Sequence, residues 1–277
     1  MSEAKPLTER QLLFRSVDRR LLKGRFALWR HSTGLGEVRR ILAMTRRPIL
    51  LGGSGRSGTT LLLSVLSAHP NIYAIAGETG AFCPTGYNNR PDFDAEFRIE
   101  QIYDRLLADD ETRNTLRWCE KTPKNVQFIG RQLAYFGPGA RCINLVRDGR
   151  DVVTSVHPEA PSRYWVAPQR WVDDVSAGQR LESHPQVLTV KYEDLVTGYE
   201  AVLRTICDFL GEEFHPALMQ YPESARIRTD DAWFGPATTI HPKSIQRWQD
   251  EQHAEVVEQL IAMPRAVELL RHYDYLQ

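Results

Sequence analysis

No stretch of the chain approaches the roughly 18–20 consecutive apolar positions of a membrane-spanning helix, and the N-terminus has no apolar signal-peptide core. Both absences argue against secretion and lead us to expect a cytoplasmic protein. Cysteine is scarce: Cys83, Cys119, Cys142 and Cys207 show neither CxxC nor metal-ligand spacing. With 277 residues, 42% of them hydrophobic, the chain can bury a full core without disulfide staples, so the four read as reduced thiols. Internal repeats and low-complexity runs are missing as well. Net charge is also missing, because 35 Lys and Arg balance 35 Asp and Glu.

That balance hides an asymmetry. From Glu9 to Arg47 there are eleven Arg or Lys against three acids, leaving 24 basic and 32 acidic residues elsewhere. Leu13, Val17 and Leu21 recur every four residues among Arg10, Arg15, Arg19 and Arg20, the pattern of a helix with one apolar face. Residues 1–47 are therefore expected to form a basic helical extension. It would either pack on the domain that follows or lie on an anionic membrane or a partner. No nucleic-acid motif accompanies the charge, so nucleic acid is not an expected partner.

What is present begins at Pro48, in PILLGGSGRSGTTLLLSVLSAHP. An apolar run meets a loop containing Gly52, Gly53, Gly55 and Gly58, and an apolar segment of helical length starts near Thr59. Gly53, four residues, Gly58 and then Thr59 and Thr60 reproduce the Walker A spacing with Thr59 in place of its lysine. Closely spaced glycines permit the backbone conformations that turn successive N–H groups inward. The helix start adds unsatisfied donors and positive partial charge. Arg56 supplies a planar cation suited to phosphate or sulfate oxygens.

Downstream, short apolar runs at 72–75, 118–121, 141–146 and 187–192 alternate with helical spacing at 94–108, 125–136, 149–155, 165–183 and 197–210. A long loop is expected from 221 to 242 and a last helical region after 250. Such alternation predicts a single α/β domain over 48–277, its mostly parallel sheet of about five strands flanked by helices. Where a nucleoside triphosphatase would place a magnesium-binding Asp, past the strand at 141–146, this chain has Arg147. No metal is expected.

Three stretches then resemble the sulfotransferase family, whose members move a sulfuryl group from 3′-phosphoadenosine 5′-phosphosulfate to hydroxyl or amine acceptors on a P-loop NTPase-like fold. GSGRSGTT looks like the family's 5′-phosphosulfate loop, and LVRDGRDVVTS (145–155) like its 3′-phosphate motif. VKYEDL (190–195) and, more loosely, KSIQRW (243–248) extend the likeness. The resemblance implies that Gly55, Arg56, Ser57, Gly58, Thr59 and Thr60 hold the 5′-phosphosulfate. Arg147 and Ser155 would hold the 3′-phosphate, with Lys243 and Arg247 closing over the nucleotide from the late loop.

The RSGTT loop and a downstream GE are similar to the tyrosylprotein and carbohydrate members. That likeness implies Glu78, in AGETGAF, as general base and Lys121, in CEKTP, as a cation at the reaction centre. Read without it, an ordinary loop carboxylate and a solvated lysine fit the same positions, and His157 and His184 are alternative bases. The steroid- and phenol-directed members carry a loop lysine and a histidine base, and this chain departs from both. The implied acceptor is a hydroxyl on a small molecule, carbohydrate, lipid or peptide. Two other readings remain: a nucleotide kinase or triphosphatase with a degenerate Walker loop, or a nucleotide-binding protein without catalysis.

Overall fold

Ile49, Leu50 and Leu51 are wholly buried in the central strand, and an uninterrupted apolar run is what a strand covered on both faces requires. The computed structural model describes residues 44, 46–83, 92–157, 160–227 and 240–277. Its first half contains β1 (Ile49–Gly53), α1 (Thr59–Leu66), β2 (Ile72–Ala74), α2 (Glu100–Ala108), β3 (Arg117–Lys121), α3 (Ile129–Phe136), β4 (Arg141–Val146) and α4 (Gly149–Val153). Then follow β5 (Val156–His157), β6 (Ala160–Tyr164), α5 (Pro168–Gln179), β7 (Val187–Lys191), α6 (Tyr192–Thr197), α7 (Tyr199–Leu210), α8 (Ala254–Ile261) and α9 (Pro264–His272). β1 pairs in parallel with β3 and β4, and the order β2-β3-β1-β4-β7 makes a five-stranded, all-parallel sheet.

Side chains alternate across the sheet. Ile49 and Leu51 join Leu62, Leu66, Ile143, Leu203 and Ile206 on one face, whereas Leu50 joins Trp118, Phe136 and Cys142 on the other. A third cluster, built around Val146, Trp171 and Leu269, packs α4, α5, α8 and α9 together beside the end of β4. All four cysteines are buried and free. Among the described residues, no helix is long and apolar enough to cross a membrane.

The strand at 141–146 lies where its pattern places it, and several helices are shorter than their periodicity. The pattern at 94–108 yields α2 only from Glu100; before it, Asp92 Oδ1 accepts the N–H groups of Asp94 and Ala95 at 2.9 and 3.2 Å in a side-chain-closed turn. The segment at 125–136 opens as a 3₁₀ turn over Pro123–Phe128 before α3. The Asn125 side chain bonds Leu51 and Glu120, tying that turn to the sheet. Tyr192 begins α6 instead of ending β7, and the β5–β6 hairpin is antiparallel where no strand was expected. The basic extension lies outside the described residues except Met44, Arg46 and Arg47, and so do residues 228–239 of the expected late loop.

Candidate active site

At the carboxyl end of β1, Gly53 lies so close to β4 that a Cβ there would be 2.3 Å from the Leu145 carbonyl oxygen. The chain then turns, with Ser57 N–H donating to the Ser54 carbonyl at 3.2 Å. Arg56 (φ 69°) and Gly58 (φ 91°) are both left-handed. At Gly58 a Cβ would also stand 2.5 Å from the Tyr192 ring. Arg56 has no glycine's freedom, and such a backbone persists only where its surroundings hold it. Here Arg147 Nη1 donates to the Arg56 carbonyl at 3.0 Å. The loop delivers the start of α1, where the N–H groups of Thr59, Thr60 and Leu61 have no acceptor within the helix. The Ser54 and Ser57 hydroxyls are buried with no hydrogen-bond partner among the described residues. A cradle with idle donors of this kind suits a polar, anionic ligand.

Three guanidinium groups converge on it. Arg147 follows β4 directly, donates Nη2 to the Ser244 carbonyl, lies 4.5 Å over the Tyr192 ring and stands 3.8 Å from Asp151. Burial, followed by the charges of Arg147 and Arg247, pushes the Arg56 guanidinium below its ordinary value. Burial likewise lowers Arg147, against the pull of Asp151. Positive groups held this close favour a bound anion. A cleft of 560 Å³ is walled by Gly55, Arg56, Gly58, Thr59, Thr60, Arg147 and Arg247. A second hollow of 560 Å³ contains Ser155, with Arg56 and Arg247 again in its wall. Arg147 and Ser155 therefore face neighbouring spaces that share two arginines. Ser57 is buried within the loop and Lys243 is exposed on a turn, and neither lines either space.

Glu78 opens onto the first cleft. β3 ends in Lys121, which is fully buried, and its Nζ donates to Glu78 Oε1 at 2.7 Å; Glu78 itself is 31% exposed. Burial pushes the Glu78 carboxyl upward, the charge and hydrogen bond of Lys121 pull it down, nearby Glu120 pushes it up and Arg170 pulls it down, with a net rise. Glu120 fastens the adjacent loop. Its carboxylate accepts from Thr79 Oγ1 at 2.7 Å, Thr122 Oγ1 at 2.6 Å and Asn125 Nδ2 at 2.6 Å. A carboxylate with increased proton affinity, paired with a buried ammonium, thus faces the same cleft as the cationic cradle. That combination suits proton removal from a hydroxyl beside a leaving anion.

Trp165, Arg170, Tyr192 and Ser244 also line this cleft, and the sequence patterns did not single them out. Tyr192 had a usable signal, since it is the first residue past a parallel strand, on the sheet edge where such folds gather ligands. Arg170 had none, because its direction depends on how α5 packs. It pairs at 3.7 Å with buried Asp174. Burial pushes the Asp174 carboxyl up to about 6, although Gln127 donates to it at 2.5 Å. His184 sits in the turn leading into β7, at the opposite edge of the sheet, and its Nδ1 accepts the Gln186 N–H. Position therefore does not favour His184 as a base. The side chain of His157 lies outside the described residues. Among the described residues, no three His, Cys, Asp or Glu gather as a metal-binding group.

The model of the sulfotransferase family matches residues 48–216. A protein-tyrosine sulfotransferase 1 from Danio rerio is 26% identical over 204 residues, which cover 63% of this chain and 56% of that protein. Protein-tyrosine sulfotransferase A from Caenorhabditis elegans is 27% identical over 197 residues, 58% of this chain and 49% of that one. The chain thus spans about half the length of these two relatives. Among solved structures, the sulfotransferase domain of the Synechococcus PCC 7002 olefin synthase superposes with a TM-score of 0.56 at 23% identity, covering 83% of this chain and 95% of that domain.

Proposed function

Because the chain belongs to the sulfotransferase family, we propose that it transfers a sulfuryl group from 3′-phosphoadenosine 5′-phosphosulfate to an acceptor hydroxyl. One observation carries this reading: the guanidinium groups of Arg56, Arg147 and Arg247 and the carboxylate of Glu78, itself paired with buried Lys121, meet in a single cleft at the carboxyl edge of the parallel sheet. The donor supplies a sulfuryl group on a phosphosulfate bridge. Arg56 and the N–H groups at the start of α1 bind the 5′-phosphosulfate and meet the charge left on phosphate as the bridging S–O bond breaks. Arg147, Arg247 and Ser155 bind the 3′-phosphate. Glu78 takes the hydroxyl proton as the acceptor oxygen bonds to sulfur, and Lys121 holds Glu78 in place beside that oxygen.

Fit to the donor rests on the donor set itself, since Arg56, Arg147 and Arg247 face the cleft together with Thr59 and Thr60 at the start of α1. The protein-tyrosine relatives make a tyrosine-bearing peptide the first acceptor to try, followed by a panel of carbohydrate, lipid and small-molecule hydroxyls. Titration calorimetry should show binding of 3′-phosphoadenosine 5′-phosphate and much weaker binding of ATP with magnesium. Radiolabelled donor should yield a labelled acceptor. Preference for ATP would overturn the donor, and nucleotide binding with no transfer to any acceptor would leave a binding protein.

A further inference from the structure

Arg247 belongs to a segment with little structure of its own. Residues 240–253 contain three 3₁₀ turns of three residues each, at Pro242–Ser244, Arg247–Gln249 and Glu251–His253. One such turn supplies too few hydrogen bonds to fix where a side chain points. The course of the segment is set by groups reaching it from the strand ends. Arg147 Nη2 donates to the Ser244 carbonyl, and the Tyr192 hydroxyl meets Ser244 Oγ at 2.6 Å. The Arg150 guanidinium lies 4.0 Å over the Trp248 ring.

The contacts flanking Arg247 come from one carboxylate. Asp151, on α4 and 1% exposed, accepts the Gln246 N–H on Oδ2 at 2.8 Å and the Trp248 N–H on Oδ1 at 3.1 Å. Gln246 is left-handed, φ 61°, a conformation that a non-glycine residue adopts only when it is held there. Between these two tethered N–H groups, Arg247 projects into the wall shared by the donor cleft and the Ser155 hollow. A neutral amide could not repeat the arrangement, since it offers one acceptor oxygen where two are used.

We propose that Asp151 is a positioning residue: its carboxylate clamps the main chain on both sides of Arg247 and so aims that guanidinium at the anion-binding cleft. The inference rests on the donor reading above for its effect on affinity, whereas the clamp itself is measurable without ligand. Asp151 also lies 3.8 Å from Arg147 Nη2, so neutralising Arg147 is the rival role, and the variants separate the two. Asp151→Asn removes both the charge and one acceptor. Asp151→Glu keeps the charge but moves the oxygens outward by one methylene.

The first measurement is native-state hydrogen exchange on the unliganded full chain. Exchange at the Gln246 and Trp248 amides should quicken about tenfold or more in both Asp151 variants, the scale of a lost hydrogen bond to a charged group. Amides of β1 and β4 should stay protected, which also shows that each variant is folded. Unchanged exchange at 246 and 248 overturns the clamp, whatever the ligand.

The second measurement is calorimetry with 3′-phosphoadenosine 5′-phosphate. Asp151→Glu and Arg247→Ala should each weaken binding about tenfold, and the double variant should be no weaker than Arg247→Ala alone, because the clamp acts through that side chain. Multiplying losses overturn the proposal in favour of the Arg147 role, as does an effect of Asp151→Asn that Asp151→Glu does not share. If the wild-type chain binds no nucleotide, the donor reading fails and hydrogen exchange alone decides the clamp.

Discussion

Lys121 Nζ and Glu78 Oε1 are 2.7 Å apart, joining the end of β3 to a loop that opens on the cationic cleft. The lysine is fully buried and the glutamate partly exposed, so the exposed partner is the one that can reach an acceptor. Glu78→Gln keeps its shape and removes its basicity. Turnover should fall by about 10²–10⁴, the usual share of general-base catalysis, while affinity for 3′-phosphoadenosine 5′-phosphate stays nearly constant. Single-turnover kinetics and calorimetry on the same variant check this. Near-full turnover would move the base elsewhere.

Lys121 should reveal itself in the pH profile. Glu78 works deprotonated, so activity is lost as pH falls through its pKa, and burial places that limb above the ordinary glutamate value of 4.5. The ammonium of Lys121 opposes the rise. Lys121→Met should therefore move the acid limb of kcat/KM to higher pH, in addition to lowering its plateau. A limb that stays in place while the plateau drops would show that Lys121 contacts the reacting groups without tuning Glu78.

Asp174 provides a stability test that needs no substrate. Its carboxyl, 2% exposed, is pushed from 3.8 to about 6 by burial. Between those values the folded chain keeps a proton that the unfolded chain has released, so stability falls as pH rises through the window. The contribution lost by pH 7 is about 3 kcal/mol. Asp174→Asn lacks this titration. The difference in urea unfolding free energy between wild type and Asp174→Asn should shift by that amount from pH 3.5 to pH 7 in favour of the variant. Parallel pH curves would show that Asp174 is ionised in the fold.

Local pattern made the sheet legible. The runs ILL and RCINLV are each bounded by turn-forming residues, and β1 and β4 lie where those runs place them. The glycine loop after β1 was legible for a related reason, since glycine spacing reports a backbone requirement directly, as the Gly58–Tyr192 contact shows. Contacts between distant segments were not legible. Asp151 and residues 246 and 248 meet across nearly a hundred positions, and neither stretch carries a periodicity that announces the other. Lys243 and Arg247 looked equivalent in sequence. Only the turn at Gln246 separates them, leaving Lys243 in solvent and Arg247 in the cleft wall. α2 shows the opposite failure, a helical pattern from 94 whose first residues are taken up by a turn over Asp92–Ala95, the helix starting only at Glu100.

Arg147 carries two loads, and its variants should show both. Nη1 and Nη2 already donate to the carbonyls of Arg56 and Ser244, so the side chain frames the donor cleft as well as facing it. In Arg147→Ala, loss of a charge-assisted contact to the 3′-phosphate should weaken 3′-phosphoadenosine 5′-phosphate roughly ten- to hundredfold. The freed carbonyls should add a smaller loss, about two- to tenfold, which adenosine 5′-phosphate shares. Ser155 donates to the Asp151 carbonyl at 2.9 Å and lies in the adjoining hollow. If that hydroxyl turns its one proton from the carbonyl to the bound 3′-phosphate, Ser155→Ala should weaken only the bisphosphate, by about two- to tenfold. Calorimetry of both nucleotides against both variants separates framing from recognition. Equal losses for the two nucleotides in Arg147→Ala, with no loss in Ser155→Ala, would leave Arg147 as a strut and place the 3′-phosphate elsewhere.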